Sequence, residues 1–388
     1  MSHADDGSRV SAHGGRGAPP RSGALTAAQA AAGAVVLARL ARGRRRRPPL
    51  AAPPAGRARP SISVVVPARD EAARIGPCLA GLRADPALLE VVVVDDCSSD
   101  GTAGVAAAAG ARVVAGTPPP PGWVGKPWAL QQGLEAASGE VVVVLDADTL
   151  PRPGLAAALA DALDDADLVT AGAAFVCEGA AEQALHAAML ATLVYRFGPG
   201  DAERPPRPAR MLVNGQCMAA RRERLLAEGG FAAAAGHLTD DAALGRALAA
   251  RGWRVAFVSA GDLLAVRMYR SARETWTGWG RSIALADVTS PAWRAADVAV
   301  TALTMALPVA RALAGRPRPL DLALLAVRAA LLAGLRGAYA RPGPGFWLSP
   351  LADPLAVTRL TRSALRPDRR WRGRAFAGAA GSRRTGGR

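Results

Sequence analysis

Asp146 and Asp148 stand two residues apart directly after the apolar run VVVVL of Val141–Leu145. Carboxylates spaced this way can reach one hard divalent cation, Mg²⁺ or Mn²⁺. Such a cation prefers oxygen ligands and commonly completes its shell with water and substrate phosphates. Taken alone, a D-x-D reads equally well as a capped turn after a strand. Two further apolar runs end in the same manner, however. ISVVV (residues 62–66) leads into Pro67, Arg69 and Glu71 of PARDE, and VVVV (residues 91–94) leads into DDCSSDGT. In the latter, Asp96 is placed to accept a hydrogen bond from a base or ribose, among turn and helix-capping residues. Three acidic or polar strand ends at one edge fit a nucleotide site better than three unrelated turns.

The elements that must position these groups follow from pattern. Short β-branched runs separated by Ala-rich stretches of helical length predict an α/β fold with a parallel sheet covered by helices on both faces. Ligands in such sheets bind beyond the carboxyl ends of the strands, where all three motifs lie. Residues 168–176 and 254–258 are expected as additional strands and residues 240–250 as a helix.

The 388-residue chain carries 48 Lys plus Arg and a net charge of +16, yet Lys126 is its only lysine. A residue kept against that bias is a hint of function. Much of the basic excess falls in two runs, residues 44–47 and the set Arg366, Arg369, Arg370, Arg372 and Arg374. With aromatics at 4% and no helix-turn-helix, zinc-finger or RNP-like pattern, nucleic acid is excluded as a partner. Solvated flanks and a membrane surface remain as readings of the runs. Cys78, Cys97, Cys177 and Cys217 show neither metal-ligand nor disulfide spacing, which fits a reducing, cytoplasmic setting.

Residues 1–23, rich in Gly, Ser, Arg and Pro, are expected as a disordered tail. Residues 24–47 read as a membrane anchor with a basic cytoplasmic flank or as a soluble helix. A Pro/Ala/Arg linker at 48–60 leads to the ordered α/β domain at 61–290. Residues 291–362 are expected as apolar, membrane-associated helices and 363–388 as a basic tail. Within them, 295–314 and 320–340 are near spanning length but are interrupted by Asp297, Arg311 and Arg328. A membrane hairpin and in-plane amphipathic helices both fit, although Arg316 and Arg318 in an outer loop count against the hairpin.

The strings SVVVPARDE, VVVVDDCSSDGT and VVVVLDADT, in that order, resemble the family 2 glycosyltransferases over residues 61–283. GWVGKPWALQQG (residues 122–133) is similar to the branch acting on carotenoids, hopanoids and related polyprenoids, and DRRWRGRAF resembles the carboxyl end of the carotenoid enzymes. The resemblance implies a Rossmann-like GT-A domain with a mixed, mainly parallel sheet, at the cell membrane and facing the cytoplasm, that takes a nucleotide-sugar donor, of the UDP type foremost, and a lipid acceptor. By the same resemblance Pro67, Arg69 and Glu71 form the nucleotide cradle and Asp96 contacts the base. Asp146 and Asp148 stand on the metal side, with Asp148 the direct ligand, and Lys126 meets the diphosphate.

HLTDDAALGRAL matches that family's acidic motif at a helix start, which implies substrate contact for Asp240 and a general-base role for Asp241. Without the resemblance, the two would read as acids favoured by the helix dipole. An inverting transferase needs a base opposite the leaving diphosphate, so the implied reaction is one displacement without a covalent intermediate. Processive members carry Gln-x-x-Arg-Trp after the base. This chain has RMYRSARETWTGWGRS instead, containing Arg267, Arg270, Trp276 and Trp279, which favours transfer of one sugar. Trp276 and Trp279, at i,i+3, suit either an apolar acceptor or interface, or core packing. His186 is assigned no chemistry, and His237 lies near enough to Asp241 for a supporting role. The alternatives are transfer to a polyprenyl phosphate and a catalytically silent nucleotide-sugar binder or membrane scaffold.

Overall fold

The computed structural model describes residues 21–54, 56, 58–367, 370–371 and 374–375. The expected tail before residue 21 and most of the closing basic segment lie outside the described residues.

Ten strands form the framework: β1 (Ile62–Ala68), β2 (Leu88–Asp95), β3 (Arg112–Ala115), β4 (Val141–Leu145), β5 (Thr149–Pro151), β6 (Leu168–Gly172), β7 (Ala174–Phe175), β8 (Cys217–Arg221), β9 (Val255–Ser259) and β10 (Leu264–Val266). The main sheet has seven strands in the order β3-β2-β1-β4-β8-β6-β9. Only β8 runs against its neighbours, pairing antiparallel with β4 and β6. The α/β sheet expected from the valine runs is therefore the one observed, and it is mainly parallel. Its valines alternate between two cores. Val64, Val66, Val93, Val143 and Leu145 face one, and Val65, Val92, Val94, Val142 and Val144 the other. Covering both faces is what lets these strands be apolar throughout.

The helices are α1 (Arg21–Ala41), α2 (Ile75–Arg83), α3 (Thr102–Ala108), α4 (Gly125–Ala136), α5 (Leu155–Ala162), α6 (Ala180–Phe197), α7 (Arg222–Ala227), α8 (Asp240–Ala250), α9 (Ala272–Ser282), α10 (Pro291–Thr301), α11 (Leu307–Leu313), α12 (Pro319–Leu335), α13 (Pro344–Trp347) and α14 (Asp353–Leu365). Leu79, Leu82, Leu155 and Leu159 of α2 and α5 fill the first core, and Leu130, Leu134, Leu244 and Leu248 of α4 and α8 the second. Helix α4 presses hard on the sheet: a Cβ on Gly133 would come within 2.3 Å of Val65 Cγ1. A smaller sheet, β5-β10-β7, sits just beyond the end of β4. The 48–60 segment is packed against the domain. Leu50 N–H donates to Ser259 O at 2.8 Å, and Arg59 pairs with Asp161 at 2.9 Å.

Helix α1, whose first residues were expected in the tail, packs with α6 and the carboxyl-terminal helices into a bundle. Among the described residues two helices, Gly23–Arg44 and Pro291–Leu313, are long and apolar enough to cross a membrane. The second is continuous through a wide π-turn at Ala302–Ala306, just ahead of Pro308, which has no N–H to give a regular ladder. The charges that interrupt these segments point inward. Asp297, 2% exposed, takes a two-pronged bond from Arg210 at 2.8 and 2.9 Å and lies 3.7 Å from Arg39. Asp321 accepts from Arg311 and from Gln29, and Arg328 is paired with Asp353 at 2.9 Å. Outward, α1 and α12 present Ala, Leu, Val and Gly. Arg39, Arg42 and Arg210 also donate to Tyr195 O, Phe197 O and Arg196 O, the carbonyls that α6 leaves open at its end.

Candidate functional site

The carboxyl ends of β1, β2 and β4 open on a cavity of about 700 Å³, within the size range of small-ligand sites. Pro67, Arg69, Glu71, Asp96, Lys126, Asp146, Asp148 and Asp240 all line it. Residues from five separate stretches of chain, each singled out from the sequence, are thus brought to one place. Asp241 is not among the lining residues. Its Oδ2 accepts from Gly215 N–H at 2.8 Å and its Oδ1 from Ala242 N–H at 2.7 Å. Asp240 is the member of the pair that reaches the cavity, and its Oδ2 has no hydrogen-bond partner among the described residues.

Lys126, at the start of α4, is the electrostatic centre. Its Nζ lies 2.7 Å from Asp146 Oδ1 and 3.9 Å from Asp240 Oδ2. Burial would lower its pKa, but Asp146, Asp240 and Asp241 together raise it, so it stays an ammonium. Asp146 is also held by its backbone, whose N–H donates to Gln216 O at 3.0 Å. That bond exists because antiparallel β8 begins where β4 ends.

Asp148 behaves differently. Burial, then the charges of Asp146 and Glu71, push its carboxyl up to about 7, with Lys126 and Arg74 partly opposing. Its carboxylate makes no hydrogen bond or ion pair among the described residues. A carboxylate crowded by like charges, without a cation of its own, is what a divalent ion would relieve. Among the described residues no three His, Cys, Asp or Glu side chains form a closed metal cage. Asp146 and Asp148 fit an open site, in which phosphate and water supply the remaining oxygens. Asp240 is likewise raised to about 7, by burial and by Asp241 and Asp146 against the pull of Lys126.

The first two strand ends are stitched together. Asp70 N–H donates to Ser98 Oγ at 3.0 Å, Glu71 N–H to Thr102 Oγ1 at 2.9 Å and Ala72 N–H to Asp100 Oδ2 at 3.0 Å. Asp70 and Cys97 adopt left-handed φ of 52° and 53°, uncommon for non-glycine residues. Most of DDCSSDGT therefore binds the neighbouring loop, and Asp96 alone of that string lines the cavity. Arg69 Nη1 donates to Asp96 O at 2.6 Å.

Sequence reasoning missed one wall. Glu274, Thr277, Gly278, Arg281 and Ser282 line the cavity at helical spacing along α9, and Tyr269 leans on Gly278, where an added Cβ would fall 2.3 Å from the ring. The available signal was S-x-x-E at residues 271–274, the pattern of a helix start: Ser271 Oγ caps the helix by accepting from Glu274 N–H at 3.2 Å, and Glu274 accepts from Arg270 N–H, one residue before the cap, at 3.0 Å. On the other face Trp279 is buried, its ring 4.3 Å from that of His186, so its part is core packing. Trp276 lies under Arg359, which donates to its carbonyl at 2.8 Å. His186 shares a 2.8 Å hydrogen bond with Tyr339, and burial lowers its pKa to about 3, leaving it neutral. His237 approaches Asp287, 3.6 Å away, rather than Asp241.

A family model described as glycosyltransferase like family 2 matches residues 60–280, more than half of the chain. Among curated proteins, the chain is 32% identical over 90 residues to a 4,4'-diaponeurosporenoate glycosyltransferase of Staphylococcus haemolyticus, covering 23% of this chain and 24% of that protein. It is 33% identical over 118 residues to an N-acetylglucosaminyltransferase of Mesorhizobium japonicum, covering 29% and 28%. The chain thus matches about a quarter of the length of these relatives. Among solved structures, a mannosyltransferase from Pyrobaculum calidifontis in complex with GDP-Man and Mn²⁺ superposes with a TM-score of 0.51 at 23% identity, over 88% of this chain and 97% of that one. The shared fold accordingly extends past residues 60–280.

Proposed function

The chain belongs to the glycosyltransferase-like family 2, and on that premise we propose that it transfers a single sugar, with inversion, from a nucleotide-sugar donor, a UDP-sugar foremost, to a hydroxyl of a lipid acceptor such as a carotenoid or another polyprenoid. The observation that carries this reading is the cavity, in which Asp146, Asp148 and Asp240 gather around the chain's one lysine beside a helical bundle with apolar outer faces. Pro67, Arg69, Glu71 and Asp96 receive the nucleotide, and Lys126 meets the diphosphate as a compact charge. Asp146 and Asp148 would hold Mg²⁺ or Mn²⁺, which when bound supplies Lewis-acid stabilisation of the charge developing on the leaving diphosphate. The Asp240–Asp241 pair takes the acceptor proton. Asp240, in the cavity and with a carboxyl near neutrality, is the side chain in reach. Asp241, tied to Gly215 N–H, orients the helix start.

The bundle supports a place in the cell membrane with the catalytic domain in the cytoplasm. Helices with apolar residues outward and paired charges inward suit lipid rather than water. Arg42 and residues 44–47 lie at the domain end of α1. At the far end Arg318 is tied to Thr26 at 2.9 Å and Arg311 to Asp321, which weakens the objection to a hairpin and leaves the basic excess on the domain side. A second reading, transfer to a polyprenyl phosphate, is favoured by Arg74 and Arg281. Both line the cavity and neither side chain has a polar partner among the described residues.

Membranes from cells expressing the chain, supplied in turn with radiolabelled UDP-glucose, UDP-N-acetylglucosamine and GDP-mannose and with lipid extracts or polyprenyl phosphate, should give one labelled organic-phase product. That product should vanish in Asp148→Ala and fall sharply in Asp240→Asn. Full activity of both variants would remove the mechanism. Donor binding without any product would leave a silent binding protein.

A further inference from the structure

We propose that Asp287 is a positioning residue that holds the proton-accepting pair Asp240–Asp241 in place through Thr239; the proposal rests on the reading of that pair as the base. Thr239 occupies the N-cap position of α8, where a threonine ordinarily turns its hydroxyl onto a backbone N–H of its own helix. Here it makes no such bond. Its Oγ1 donates instead to Asp287 Oδ1 at 2.6 Å, and its N–H to Asp287 Oδ2 at 3.0 Å. One carboxylate from 48 residues away therefore grips both polar groups of the residue that immediately precedes the acidic pair. The directions in which Asp240 and Asp241 leave the helix follow from the backbone so held.

The grip is doubled along the helix. Arg246, two turns further along α8, donates from Nη1 to Val288 O at 2.8 Å, so α8 holds the Asp287 loop at two points. From the opposite side Arg294 of α10 donates to Ala286 O at 3.3 Å. Leu285, at the start of this loop, has a left-handed φ of 47°, a conformation that a leucine keeps only where its surroundings impose it. The loop joins α9, a wall of the cavity, to α10 of the bundle, so the base helix is fastened to the point where the bundle begins. Asp287 is itself a poor proton acceptor. Burial would raise its carboxyl, but the nearby His237 and the two bonds from Thr239 hold it down to about 2. It lines the cavity as a fixed anion that organises its neighbours.

The test uses the membrane assay, with whichever of the three labelled donors is turned over, on the full chain. Asp287→Asn and Thr239→Val should each lower kcat about 10- to 100-fold, the scale of an ångström-sized misplacement of a reacting group. The donor KM should hold, and the thermal midpoint should fall by only a few degrees, leaving the protein folded at the assay temperature. The double variant should be no worse than either single one, because the two residues act as a unit. Asp287→Glu and Thr239→Ser should recover much of the rate. Wild-type kcat in Asp287→Asn, additive losses, or a kcat loss matched by a collapsed thermal midpoint would overturn the proposal. Should Asp287→Asn not fold, equal rates for Thr239→Val and Thr239→Ser overturn it as well. Inactive Asp240→Asn with a normal Asp287→Asn defeats the positioning role alone, whereas full activity of both Asp240→Asn and Asp241→Asn defeats the base reading beneath it.

Discussion

Burial and two neighbouring acids hold a proton on Asp148 up to about pH 7, whereas its ordinary value is 3.8. On the proposal that Asp148 ligates the cation, Mn²⁺ would have to displace that proton, so its affinity measured by calorimetry should rise as pH rises through about 7 and be lost in Asp148→Ala. The sign for stability is the reverse. Between about pH 4 and 7 the folded chain keeps a proton that the unfolded chain has released, so this group makes metal-free stability fall with rising pH, and the full cost stands above 7. Asp148→Asn should therefore melt higher than the wild type at about pH 8, with the difference closing toward about pH 4 and on saturation with Mn²⁺. Lys126→Met should cost about 100-fold or more in kcat, since it strips the cation from between Asp146 and Asp240. At this scale the sequence was informative for residues that are rare or sit at strand ends: Asp146, Asp148, Asp96 and Lys126. It was silent on Arg74 and Arg281, because an arginine in an arginine-rich chain carries no mark of what it faces.

Among the elements, the stitched loops after β1 and β2 illustrate how capping residues serve a site without touching a ligand. Thr102 is fully buried and its hydroxyl receives Glu71 N–H. Thr102→Val should cost about 1–3 kcal/mol in urea unfolding by stranding that donor, and should raise the donor KM by loosening the cradle. β1, β2, β4 and β9 were legible as strands because they are β-branched and buried on both faces. β8 was not: CMAAR has no β-branched residue, and only its place between β4 and β6 makes it a strand. That omission mattered, since β8 delivers Gly215 and Gln216 to Asp241 and Asp146. The expected strand at 168–176 is two, β6 and β7, which join different sheets on either side of Ala173.

For the molecule as a whole, the bundle inverts the usual arrangement of a water-facing helix. Arg328 and Asp353 are 1% and 0% exposed and bound to each other. Arg328→Met should destabilise the protein in detergent by about 3–5 kcal/mol, read as a markedly lowered thermal midpoint, because it leaves a buried carboxylate alone. Arg328→Met with Asp353→Leu should regain most of that loss, since two apolar side chains leave no charge uncompensated. From the chain alone, Asp297, Arg311 and Arg328 looked like interruptions of apolar helices, and the partners that absorb them, Arg210, Asp321 and Asp353, lie up to 87 residues away. The β-branched strands β1, β2, β4 and β9, the edge at which ligand-binding groups must gather, and the acids at that edge were written in local pattern, because strand period and turn chemistry are decided by near neighbours. Which of two adjacent aspartates enters the cavity, what holds them there and where a buried charge finds its partner depend on segments that meet only when the chain has closed on itself, and those the tertiary structure alone decided.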